Sequence, residues 1–197
     1  MEYADLRAAK NLKVLKNGIF SSCSSLRHVL LGEGLEVISK QCFQESGVEE
    51  LVVPSKLRTI DECAFWKCGS LKSVSFGADS ALEDVGVRAF MDSGLEAFVS
   101  PPSLKKICDL AFVECVELKD FQLSESVREL GWLCFWATGV TDLKLPPHVR
   151  MTPEQLGIGQ NDPRALRLPD GLESVGEEWF RESGVEKLVV PNCVKVL

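Results

Sequence analysis

The residues of this 197-residue chain best suited to chemistry are its two histidines, its eight cysteines and its adjacent glutamate pairs. His28 and His148 lie 120 residues apart, so neither a Cys/His pair nor a Ser/His/Asp triad assembles around both. The pairs Glu49-Glu50 and Glu177-Glu178 are neighbours in sequence and are expected on the surface, which gives no glycosidase pair. Gly157-Ile158-Gly159 lacks the third glycine and the βαβ setting of a nucleotide fingerprint. No C-x-x-C occurs, which removes the usual zinc spacing. The sequence therefore predicts no catalytic residue, no cofactor and no metal.

The elements that position these residues come from a repeat. Nine times an apolar residue opens a unit of the form L-x-x-I/V/L, at Leu12, Leu35, Leu57, Leu82, Leu104, Val127, Val149, Leu172 and Val194, with openings 22 to 25 residues apart. Seven of the ten phenylalanines stand eight residues past an opening: Phe20, Phe43, Phe65, Phe90, Phe112, Phe135 and Phe180. Such a fixed phase marks a solenoid, in which no unit buries its apolar face alone and stacked neighbours do it together. At ~1.5–3 kcal/mol per buried large side chain, this column is worth on the order of ten kcal/mol before chain entropy is subtracted.

Two kinds of unit alternate. Odd units carry C-x-x-L, as at Cys23, Cys68 and Cys115, and even units carry S/T-G-V/L, as at Gly47, Gly94, Gly139 and Gly184. The even corner is one residue shorter, and glycine's access to positive φ is the expected reason. Each unit closes with L/V-x-x-L-x-L, whose alternation is that of a strand. One strand per coil at one phase implies a parallel sheet, with prolines at 54, 101, 146, 169 and 191 just past it. Between opening and strand there is room only for a short 3₁₀-like turn. Unit seven replaces the phenylalanine region with Leu156-Gly-Ile-Gly-Gln-Asn-Asp-Pro163, which reads as an irregular loop bulging into solvent. Gly77 to Ala81 read as a tolerated loop insertion.

The repeat also sorts the cysteines. Cys23, Cys68 and Cys115 recur two coils apart, about 10 Å at strand spacing, beyond disulfide reach. Cys42 and Cys134 occupy the slot filled elsewhere by Ala64, Ala89 and Ala111 and read as buried small hydrophobes, while Cys63, Cys108 and Cys193 share no phase. Free thiols and the lack of an N-x-S/T sequon favour a reducing intracellular compartment, with a cell surface as the alternative. A net charge of −7 with no Lys/Arg-rich run argues against nucleic acid. No apolar run of membrane-spanning length occurs, and the start has no apolar leader segment. Both ends cut through a unit, so the sequence reads as part of a longer chain or of a larger complex.

The pattern L-x-x-I-x-x-x-A-F-x-x-C-x-x-L-x-x-V-x-L-P, matched fully at Ala64-Phe65-x-x-Cys68 and Ala111-Phe112-x-x-Cys115, resembles the BspA-like class of leucine-rich repeats over essentially the whole chain. The resemblance implies a curved parallel-sheet solenoid that binds proteins or, on cell surfaces, mediates adhesion. The expected domain is a single leucine-rich-repeat solenoid over 1–197, with a partial repeat at 1–11, repeats opening at 12, 35, 57, 82, 104, 127, 149 and 172, and a partial repeat from 194.

Informative positions are those that do not repeat. The first variable strand position reads Arg27, Glu49, Lys72, Glu96, Lys119, Thr141, Arg164, Glu186, a ladder of alternating charge. At the central position Leu30, Val52 and Val99 give an apolar docking stripe, with Lys144 and Arg167 as a basic patch beside it and Val189 as a further partner-binding candidate. Trp66, Trp132, Trp136 and Trp179 flank the phenylalanine column on the opposite side and are candidate partner anchors. The sequence thus favours a non-enzymatic scaffold binding a protein partner, with a structural subunit of a large assembly and a surface adhesin as alternatives. If the phenylalanine column is the core, Phe112→Ala destabilises the chain by ~3–5 kcal/mol in urea titration.

Overall fold

Both the opening and the closing residues of a unit alternate inward and outward, and both form strands. The computed structural model describes residues 1–162, 164–175, 180 and 185–196. The openings of the first six coils form β2 (Val14–Leu15), β4 (Val37–Ile38), β6 (Thr59–Ile60), β8 (Asp84–Val85), β10 (Lys106–Ile107) and β12 (Glu129–Leu130), one parallel six-stranded sheet. The second residue of each points inward and is buried. The closings form β1 (Tyr3–Asp5), β3 (His28–Leu30), β5 (Glu50–Val53), β7 (Ser73–Phe76), β9 (Ala97–Val99), β11 (Asp120–Gln122), β13 (Ala165–Arg167) and β14 (Lys187–Val189). Coils one to five therefore have two strands, not the single one expected, because the two-residue opening is itself extended and meets its equivalent one coil on.

The third wall of each coil is the turn that carries the phenylalanine. Successive rings from Phe20 to Phe135 stack at centroid distances of 5.1, 5.1, 5.3, 5.3 and 5.9 Å, with planes within 16° of parallel. Phe98 and Phe121 meet this column edge-on from the closing strands. Single turns with an amide bonded three residues back occur here, such as Ser46 N–H to Phe43 C=O at 2.9 Å. They do not join into a 3₁₀ helix. Gln41 and Glu45, Cys63 and Lys67, Arg88 and Asp92, Leu110 and Glu114, and Leu133 and Ala137 all adopt φ between 53 and 61°. These left-handed residues swing alternate amides toward the next coil, where Phe43 N–H donates to Ala64 and Phe65 N–H to Ala89. A non-glycine residue pays roughly 1 kcal/mol or more to stand there, which the bonds between coils offset.

The alternation of coil types has a structural basis different from the one expected. Gly47, Gly94 and Gly139 are not among the positive-φ residues. A Cβ on Gly47 would lie 2.3 Å from the Ser24 carbonyl oxygen, and one on Gly94 2.2 Å from that of Gly69, so these corners need glycine for close approach to the preceding coil. Gly184 lies outside the described residues. At these junctions Gly47 N–H donates to Cys23 and Gly94 N–H to Cys68. At the other kind of junction the odd-coil thiol supplies the link: Cys68 Sγ donates to the Phe43 carbonyl and Cys115 Sγ to that of Phe90, each at 2.9 Å. The closing strands follow the same rhythm and pair as β1–β3, β5–β7 and β9–β11.

Unit seven departs from the expected bulge. Leu156 is fully buried in the core, and Leu133, Phe135 and Ala137 donate to the carbonyls of Gln155, Leu156 and Gln160, so this turn stacks as a coil without its phenylalanine. Beyond it the strand walls do not continue among the described residues. The opening sheet ends at β12, the expected strand at Val140–Leu145 is not formed, and β13 pairs only with β14. Leu143 and Leu145 pack against the core without forming a strand, and the closing strand of unit seven, β13, lies in a separate sheet with β14.

Where that sheet lies is shown by a second apolar cluster. Outward residues of the turn wall, among them Cys63, Trp66, Met91, Leu110, Val113, Leu133 and Trp136, join Leu166, Leu168 and Leu172, with Val175, Phe180, Val185 and Val194 packed against them. In the second coil the equivalent Gln41 and Gln44 are polar and reach solvent, whereas in coils three to six these positions are covered. The last described residues thus pack on the outside of the turn wall.

Two substitutions separate close approach from conformational freedom at the corners. Gly94→Ala should destabilise by about 1–3 kcal/mol through overpacking. Gly69→Ala, where a Cβ meets nothing within 4 Å, should stay within about 0.5 kcal/mol of wild type. Urea midpoints decide between them.

Candidate interaction surfaces

The outward residues of β3, β5, β7, β9 and β11 make a face whose central column reads Leu30, Val52, Ser75, Val99 and Gln122, apolar at three of the five positions. Val52 is 69% and Val99 53% exposed, and Leu30 is half-buried. A groove of about 510 Å³ is lined by Leu30, Val52, Pro54, Asp79 and neighbours, and one of about 540 Å³ by Phe76, Val99, Pro101 and neighbours. The two meet at Gly77. The insertion Gly77–Ala81, read from sequence as a neutral loop, therefore joins them. Its turn is closed by Ser80 N–H to Gly77 C=O and tied down by Ala81 N–H to Ser55 C=O. Phe76, Pro54 and Pro101 were missed as groove residues because their phase assigns them to core and turn.

The basic end of this column is divided. Lys144 lines a groove of about 420 Å³ with Phe121, Gln122, Leu123 and Asp142. Arg167 faces Val189 across β13 and β14, in a sheet separate from the other closing strands. The expected patch of Lys144 with Arg167 is thus not part of one strand face, and the candidate Val189 lies with Arg167 on the separate sheet. Val189 is exposed on its own sheet.

Charges beside the column are paired, in twos and not as an unbroken ladder. Arg27 reaches Glu49 at 3.6 Å and Lys72 reaches Glu96 at 3.5 Å, while Lys119 turns to Glu117 of its own coil. A second charged row, one residue past each opening, was not read from the sequence: Lys13 pairs with Glu36 at 2.8 Å, and Glu83 with Arg58 and Lys105 at 3.8 and 3.1 Å. Counting that phase would have found it. Exposed pairs of this kind set register more than they add stability. Glu50, Asp120 and Asp142 on the closing face make no ion pair among the described residues.

The tryptophan side corrects the sequence reading. Trp66 is only 5% and Trp136 only 1% exposed, both inside the second apolar cluster, so they anchor the chain to itself. Trp132 is half-buried and lies 3.8 Å from where a Gly171 Cβ would stand. Trp179 lies outside the described residues, as do Glu177 and Glu178. His28 is exposed, and the His148 ring lies against the Arg128 guanidinium.

Among the described residues burial is the leading cause of the raised cysteine and carboxyl pKa values. Burial pushes the Cys68 thiol up to about 11 and those of Cys42 and Cys115 to about 12, which holds them protonated. All eight cysteines are free thiols. Glu114 is pushed up to about 7, first by burial and then by the neighbouring Asp92 carboxylate, and its Oε1 has no hydrogen-bond partner. Among the described residues no three His, Cys, Asp or Glu side chains converge, and no helix is long and apolar enough to cross a membrane.

A parallel solenoid of 22- to 25-residue coils with an inward leucine and phenylalanine pattern is a leucine-rich-repeat protein. The BspA-type leucine-rich-repeat family matches the chain in six copies, over residues 2–101 and 83–197, and the chain belongs to that family. A leucine-rich repeat protein from Bacteroides ovatus ATCC 8483 has a TM-score of 0.67 and 24% identity, over 95% of this chain and 54% of that one. A leucine rich cell surface protein from Faecalibacterium prausnitzii A2-165 has a TM-score of 0.47 and 17% identity, over 96% of this chain and 60% of that one. At these identities the first likeness concerns the fold alone, and the chain spans about half that protein's length. No curated protein matches the chain. Family membership makes the chain a repeat scaffold or surface protein, a class generally without catalysis.

The Glu114 environment has a measurable consequence. A carboxyl whose folded pKa is raised favours folding while protonated, and that contribution is lost as pH rises from about 4.5 through about 7. Glu114→Gln should therefore be more stable than wild type at pH 8, by about 1 kcal/mol after discounting for partial exposure. The difference should vanish below pH 4.5, as read from urea midpoints at the two pH values.

Proposed function

We propose that the chain is a non-enzymatic scaffold that binds a protein partner through the exposed face of its closing strands. The observation that carries this reading is the apolar column Leu30, Val52 and Val99 over two grooves that join at Gly77. Val52 and Val99 are two large aliphatic side chains in solvent on one flat face, and a partner that covers them gains apolar burial. The flanking Arg27–Glu49 and Lys72–Glu96 charges neutralise each other in pairs, which leaves the closing-face carboxylates to set the sign of the field. Glu50, Asp120 and Asp142 bias the face toward a partner whose apolar residues are bordered by lysine or arginine. A surface adhesin or a subunit of a larger assembly would use the same face on a different partner.

The test is a binding comparison with a partner captured from the source organism. Val52→Asp and Val99→Asp should weaken its Kd at least tenfold with unfolding midpoints unchanged. Val116→Asp, an equally exposed apolar position off this face, should bind as wild type. Unaltered binding by the first two variants contradicts the reading, and unfolding by them shows the strand face assigned backwards.

A further inference from the structure

The grooves of the strand face recur at every second coil. The closing strands pair as β1–β3, β5–β7 and β9–β11, and no ladder joins β3 to β5 or β7 to β9. At those two junctions Glu49 N–H still donates to Arg27 C=O and Glu96 N–H to Lys72 C=O, but the strands that follow stay apart. The groove lined by Leu30 and Val52 lies over the first open junction, and the groove lined by Phe76 and Val99 over the second. A third, lined by Gln122 and Lys144, follows β11, where residues 140–145 form no strand. Each of these junctions comes after a glycine corner. A Cβ on Gly47, Gly94 or Gly139 would lie 2.3, 2.2 or 2.9 Å from a carbonyl oxygen of the preceding coil. The two-coil period of the sequence is thus also the period of the grooves.

Successive grooves stand ~10 Å apart, two coils at ~4.8 Å per strand. The strip between the first two is floored by the short, exposed side chains of Ser73, Ser75 and Ala97, so a rod laid along the stack axis can approach closely there. An α-helix advances ~10.5 Å in seven residues and returns to nearly the same side. A strand advances ~10 Å in three residues but presents the opposite face. A polyproline helix also repeats at three residues, ~9.3 Å, but docks on aromatic-lined grooves. The outward residues of β3 to β11 include no Phe, Tyr or Trp. A sheet face offers a partner side chains and not backbone groups, and only the α-helix arrives with its own backbone bonds made.

We propose, on the reading that this face binds a protein, that its occupant is a basic amphipathic α-helix lying along the stack axis. An apolar residue at every seventh position seats in successive grooves against Val52 and Val99. Lysines or arginines flanking that stripe meet Glu50, Asp120 and Asp142. One groove per two coils then reads one heptad of the partner.

The experiment selects binders on the full chain from a displayed library of random peptides of about 24 residues, long enough as a helix to span three grooves. Enriched peptides are then measured in solution by fluorescence anisotropy and circular dichroism. They should carry apolar residues at seven-residue spacing beside lysine or arginine, and gain helicity when bound. Val52→Asp and Val99→Asp, with unfolding midpoints as wild type, should each weaken their Kd at least tenfold, because one helix crosses both grooves. Weakening by only one of the two variants would place the ligand in a single groove and overturn the inference. Enrichment of proline-rich or alternating sequences that still respond to both variants would overturn the helix and leave the strand-face reading standing. Binding indifferent to both variants, or no enrichment at all, would overturn the inference; the indifference would take the strand-face reading with it.

Discussion

Ring-on-ring stacking of phenylalanine at about 5 Å sets the spacing to which the rest of the molecule conforms. Strands hydrogen-bond at about 4.8 Å, so a column of parallel aromatic rings and two parallel strand walls fit the same rise per coil. Paired lysines and glutamates, thiols on carbonyls and the left-handed turn residues all recur because that spacing recurs. Where the column runs out the rest follows. The widest gap is the last, 5.9 Å from Phe112 to Phe135, and the next coil offers Leu156 instead of a ring. The opening sheet ends at β12, in the coil of Phe135, and the paired closing strands of the stack end one coil earlier at β11.

The two-coil period reflects two ways of joining neighbours. From an even to an odd coil, a buried cysteine donates its proton to the carbonyl of the preceding ladder phenylalanine, and Ser46 or Ser93 stands beside the sulfur. From an odd to an even coil, glycine allows the backbones to close and bond directly. The cysteines are thus structural hydrogen-bond donors, and desolvation keeps them protonated and poorly nucleophilic.

Much of this was legible in the residues, and the failures share a cause. Phase identified the buried ladder, the small slot of Cys42 and Cys134, the prolines past the strands and the exposure of Val52 and Val99, because each depends on one coil and its immediate neighbours. Glycine at the even corner was visible, but its reason was not, since a Cβ collision with the previous coil leaves no trace in local conformation. The fate of the last units was illegible by period alone, because Leu172 and Val185 keep their phase while packing elsewhere. A signal did exist. Outward turn positions change from Gln41 and Gln44 to Cys63, Trp66, Met91, Leu110, Val113, Leu133 and Trp136. Apolar residues where a repeat should face solvent mean that something covers it, and here the chain itself does.

The molecule therefore presents two apolar surfaces of opposite status, an open strand face and a covered turn wall. The most direct measurement of that division is peroxide oxidation of methionine in the native chain, followed by peptide mass spectrometry. Met1 is 66% exposed and Met91 1%, and Met91 sits at the centre of the covered wall. The account predicts that Met1 oxidises readily while Met91 stays protected until the chain is unfolded. Oxidation of Met91 at a rate comparable to Met1 would mean that the wall is bare, and would contradict it.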